Sequence, residues 1–112
     1  MSSRRYVKRT WRVPKDRGAL ECFATLVVKA LRKHGWPAKA EWHNGIATGL
    51  DSFTIRHVDG GEELHPDFEE AVGIAVRITA RTYRVDVEQI GNWVWINRRY
   101  RIGAGGHFIE EK

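Results

Sequence analysis

A chain of 112 residues with 42% hydrophobic and 29% charged content is long enough to fold as one domain and too apolar to be disordered. A single cysteine, Cys22, excludes an internal disulfide framework and a four-cysteine zinc site, and no apolar run approaches the roughly 18 residues of a membrane span. The net charge of +5 conceals an uneven layout: residues 1–17 carry seven cations against Asp16 alone, residues 59–70 carry six acids and no Lys or Arg, and Arg98, Arg99 and Arg101 form a second basic block.

Residues 6–13 alternate as a strand, with Val7, Trp11 and Val13 on one face and Lys8, Thr10 and Arg12 on the other. After Pro14 and Lys15, Asp16 is placed to cap a helix beginning near Arg17. Leu20, Phe23, Val27 and Leu31 recur at the spacing of one buried stripe, and Gly35 with Trp36-Pro37 stops the helix. Cys22 falls on its buried side, as free cysteine usually does. Residues 38–43 alternate again, with Ala38, Ala40 and Trp42 against Lys39, Glu41 and His43. Asn44-Gly45 signals a turn, and residues 53–58 form the partner strand.

A second helix opens at His65-Pro66, with Asp67, Glu69 and Glu70 suited to the positive end of its dipole. Phe68, Ala71, Val72, Ala75 and Ile78 form its expected buried side, while Arg77, Arg81 and Arg84 make a basic stripe outside. Residues 85–90 and 93–96 read as two strands around Gly91-Asn92, and residues 98–102 extend the second. The five tryptophans, Trp11, Trp36, Trp42, Trp93 and Trp95, are expected in core or half-buried sheet positions. No internal repeat is visible.

This order predicts an α+β domain, a split βαβ (ferredoxin-like) antiparallel sheet with two helices on one face. The domain spans residues 1–102 with a basic N-terminal arm, and Gly103-Ala104-Gly105-Gly106 hinges a tail over residues 103–112. No apolar segment follows the basic N-terminus directly, which argues against a signal peptide and for a cytoplasmic protein or a particle assembled in the cytoplasm.

Two segments interleave cations with aromatics: Arg4, Arg5, Arg9 and Arg12 with Tyr6 and Trp11, and Arg98, Arg99 and Arg101 with Tyr100. Guanidinium groups neutralise phosphates while a neighbouring ring stacks on a base. With Arg77 and Arg81 added, these residues form a candidate basic surface for nucleic acid or an acidic protein. The complementary acidic block allows assembly of copies of the chain, or of the chain with other subunits, as in phage and other particle proteins.

No nucleophile motif stands out. Cys22 and Ser52 lack a base partner at a diagnostic spacing, and the glycines at 103–106 are followed by no Lys-Ser/Thr of a phosphate loop. His43, Asp51 and His57 would offer a zinc site if the strands bearing them converged.

The helix ending in Gly35-Trp36-Pro37, the segment Glu41-Trp42-His43-Asn44-Gly45-Ile46-Ala47-Thr48-Gly49-Leu50-Asp51 and the closing Gly106-His107-Phe108-Ile109-Glu110 resemble, in order, the opening helix, the S-x-H-x-x-G-x-A-x-D motif and the last zinc histidine of small phage and bacterial LAS-type (D-Ala-D-Ala carboxypeptidase-like) peptidoglycan peptidases. The resemblance implies zinc held by His43, Asp51 and His107. Glu41 stands where that motif has serine, Asp51 lies one residue late, and no carboxylate precedes His107. The resemblance therefore implies a degenerate relative. The residues themselves favour a non-enzymatic binding or assembly domain without a cofactor.

Overall fold

The computed structural model describes residues 15–43, 52–59 and 66–111. The expected strand over residues 6–13, with Arg4, Arg5, Arg9, Arg12, Tyr6 and Trp11, lies outside them, as does Asp51. The first described element, helix α1 (Lys15–Lys33), buries Leu20, Phe23, Val27 and Leu31 as their spacing demands. It starts before Asp16, so that residue lies within the helix rather than capping it. Its C-terminus closes with Gly35 at φ +90°: the Trp36 N–H reaches the Leu31 carbonyl (2.9 Å) and the Gly35 N–H reaches the Arg32 carbonyl (3.0 Å). Both bonds satisfy carbonyls that the helix end leaves unpaired. The Arg32 Nε then donates to the Ala38 carbonyl (3.0 Å), tying the helix to the first strand.

Strands β1 (Ala38–His43) and β2 (Ser52–His57) pair antiparallel from Ala38↔His57 to His43↔Ser52. Helix α2 (Phe68–Tyr83) follows, then β3 (Val87–Ile90) and β4 (Trp93–Ile96). The sheet order is β1-β2-β4-β3, all antiparallel. Two αββ units thus meet along β2 and β4, with β1 and β3 at the edges. The expected α+β class is observed. In the described sheet β2 bonds β4 directly, and the described strands do not show the ferredoxin-like detail of the expectation.

One face of the sheet carries Ala38, Ala40, Phe53, Ile55, His57, Val94 and Ile96, and both helices pack on it. Phe23 of α1 lies 6.4 Å from Phe53, ring to ring, and Phe68 of α2 lies 5.3 Å from His57. Phe23, Val27, Phe53, Ile55, Val72 and Val94 are fully buried there, each contributing about 1.5–3 kcal/mol. Ile78, expected on the buried side of α2, is 57% exposed. Phe68, Val72 and Ala75 are buried as expected, and Val76 and Thr79 join them on that side.

Residues 103–106, read from sequence as a hinge to a tail, form the turn of a small hairpin. Strand β5 (Tyr100–Ile102) pairs antiparallel with β6 (Phe108–Glu110). Phe108 holds this hairpin on the helices, edge-on to Phe23 (6.4 Å) and Tyr83 (5.9 Å).

Candidate functional site

The C-terminal end of α2 and the β5–β6 hairpin meet at one end of the molecule. Tyr83 contacts Phe108, and the Asp86 N–H donates to the Tyr100 hydroxyl (2.9 Å). Arg77, Arg81 and Arg84 are exposed along the solvent side of α2, and Arg99 and Arg101 are exposed on the hairpin. The strand period puts Arg101 outside because Tyr100 points in. These five guanidinium groups pair with no carboxylate among the described residues.

Two residues assigned to this surface from sequence have other tasks. Tyr100 is only 8% exposed; its ring packs against Phe108 and its hydroxyl accepts from the backbone, so it presents no face to a base. Arg98 donates from Nε to Asp86 (2.9 Å) and from Nη1 to Glu110 (3.1 Å). It braces the hairpin against the start of β3. Hydrogen bonds from Asn97 and then from Arg98 hold the Asp86 carboxyl below the usual carboxylate range, and bonds to Asp86 and Glu110 raise Arg98 correspondingly.

The opposite end of α2 is acidic. Pro66, Glu69, Glu70, Gly73, Arg77, Gln89 and Gly91 line an open cleft of about 590 Å³ between the helix start and the β3–β4 turn. Acid at the N-terminus and arginine at the C-terminus both suit the helix dipole. Among the described residues the cleft brings together no Ser, Cys or Thr nucleophile with a base.

The sheet face away from the described helices carries two of the tryptophans expected in core or half-buried sheet positions. Trp93 and Trp95 stand outside on β4, flanking inward Val94, with ring centroids 5.0 Å apart. Trp93 is 37% exposed, and its indole N–H donates to the Ser52 hydroxyl (2.6 Å), which is buried beneath the pair. Ile90, 63% exposed, sits opposite Trp93 on β3. Around them lie Lys39, His43, Thr54, Arg56 and Glu88, with Glu41 paired to Arg56 at 2.6 Å. Trp-Val-Trp-Ile is apolar at every position, so the sequence held no signal for which side faces the helices.

His43 and His57 cannot share a metal. They occupy opposite ends of the β1–β2 hairpin and opposite sheet faces. His57 is buried between Trp36 and Phe68, its Nδ1 accepting from the Asp59 N–H (3.1 Å), while the His43 Nε2 lies 2.7 Å from the Thr54 hydroxyl. His107 lies in the turn of the separate β5–β6 hairpin. Among the described residues, no group of three or more His, Cys, Asp and Glu side chains is arranged to hold a metal, and no described helix is long and apolar enough to cross a membrane. Comparison with protein-family models, curated proteins and solved structures finds no match to this chain.

Proposed function

We propose that the protein is a non-enzymatic binding domain that docks nucleic acid through its arginine-rich end. The reading is supported above all by Arg81, Arg84, Arg99 and Arg101, which are exposed and lack carboxylate partners among the described residues, on two elements packed against one another. Solvated guanidinium groups so grouped attract phosphates and release their counterions. The cations of residues 1–17 add to the same electrostatic pull.

The test is polyanion affinity against salt. Four phosphate contacts on a single strand give a log–log slope of about −2.8, so affinity falls about 50-fold between roughly 50 and 200 mM salt. Replacing Arg81, Arg84, Arg99 and Arg101 with alanine removes most of that slope while circular dichroism stays native. Arg98 is left in place because it braces the hairpin. Salt-insensitive binding, or wild-type binding by the folded variant, refutes the proposal.

A further inference from the structure

We infer that the sheet face opposite the described helices is a stacking platform for the bases of single-stranded nucleic acid, with Trp93 and Trp95 as its rings. This rests on the proposed nucleic-acid function and names its ligand class. Both rings stand on β4, an inner strand of the sheet, and the described helices pack on the other face. The indole N–H of Trp93 is already bonded to Ser52. Its ring is therefore fixed before a ligand arrives, and stacking orders little that is not ordered already. Exposed Ile90 beside it offers apolar contact to a base edge or sugar.

Charge separates the possible occupants. Among the described residues of this face Arg56 cancels Glu41 at 2.6 Å, leaving Lys39 and Glu88 on the outer strands of the described sheet, so their charges sum to near neutral. The uncompensated cations begin where β4 ends: beyond Trp95 the chain runs through Asn97 and Arg98 into exposed Arg99 and Arg101. A near-neutral aromatic pair, followed along the chain by exposed Arg99 and Arg101, matches a strand whose bases lie over the sheet and whose phosphates meet those two arginines beyond the end of β4. A duplex hides its base faces and cannot use the rings. A second copy of this chain is poorly matched, because His43, Thr54 and the Glu41–Arg56 pair interrupt the apolar surface with polar groups.

The experiment titrates the full chain with an oligothymidylate of about 12 nucleotides and with a duplex of the same length, reading tryptophan fluorescence and anisotropy. Trp95→Ala and Trp93→Phe/Trp95→Ala are compared with the arginine variants. The expected result is fluorescence quenching by the single strand, and an affinity loss of about 5- to 150-fold per stacked base removed, with an unchanged salt slope because no phosphate contact is lost. Trp93→Phe alone keeps a stacking surface and separates loss of the ring from loss of the Ser52 hydrogen bond. Wild-type affinity in folded tryptophan variants, with the arginine variants still impaired, overturns the platform and leaves the proposed function standing. Equal affinity for the duplex overturns it in the same way. A concentration-dependent dimer dissolved by Trp95→Ala overturns it in favour of a face between copies. Binding of neither oligonucleotide overturns both readings together.

Discussion

Phe108→Ala tests whether the C-terminal hairpin is part of the folded domain or an appendage. Phe108 is half-buried and meets three rings, Phe23, Tyr83 and Tyr100, at 5.9–6.4 Å in edge-on geometry. A fully buried Phe→Ala change costs about 3–5 kcal/mol, and scaling for partial burial gives about 2–3 kcal/mol. For a domain of this size that corresponds to a fall in Tm of about 8–12 °C. Urea unfolding followed by tryptophan fluorescence reads the same quantity as a lower midpoint at constant slope, since the surface exposed on unfolding barely changes. Phe108→Leu retains most of the apolar area and loses less than about 1.5 kcal/mol. A midpoint for Phe108→Ala indistinguishable from wild type would mean that the hairpin is not docked. The positions of Arg99 and Arg101 relative to α2 would then fall with it.

Arg84 occupies the left-handed region at φ 58°, ψ 51°, where α1 uses Gly35. That conformation costs a non-glycine residue about 1–2 kcal/mol, while glycine loses about 0.4–1 kcal/mol more backbone entropy on folding. Arg84→Gly therefore raises stability by about 0.5–1 kcal/mol in a denaturant titration; a lower midpoint contradicts the left-handed cap. Asp86 has its carboxyl held below the ordinary range by Asn97 and Arg98, so the unfolded chain takes up its proton first as pH falls. Its contribution is present above the ordinary carboxylate pKa and lost as pH drops through the folded value, and Asp86→Asn flattens that acid limb of the stability curve; an unchanged limb removes Asp86 from the account. Burial pushes the Cys22 thiol up to about 12, so a thiol reagent at pH near 8 leaves the native protein unmodified and reacts only as urea unfolds it. Rapid native labelling would show Cys22 exposed.

Much of the architecture was legible because local pattern and burial agree. The Leu20, Phe23, Val27 and Leu31 stripe and the Gly35 stop define α1, and alternation defines β1 and β2 to within a residue. The site was harder to read. Trp93-Val94-Trp95-Ile96 is apolar at every position, so its pattern does not say which side faces the core. Arg98 and Arg99 are alike in sequence, yet one is held by Asp86 and Glu110 and the other is not.

By itself, the sequence determined a small α+β domain with two amphipathic helices, alternating strands and cations concentrated in separate segments, because helix and strand periods are properties of neighbouring residues. The tertiary structure alone decided that β2 bonds β4, that Tyr100 turns inward, and that the two tryptophans of β4 lie on the face opposite the helices. Those outcomes depend on which face of the sheet the helices cover, and that is set by contacts between residues distant in the chain.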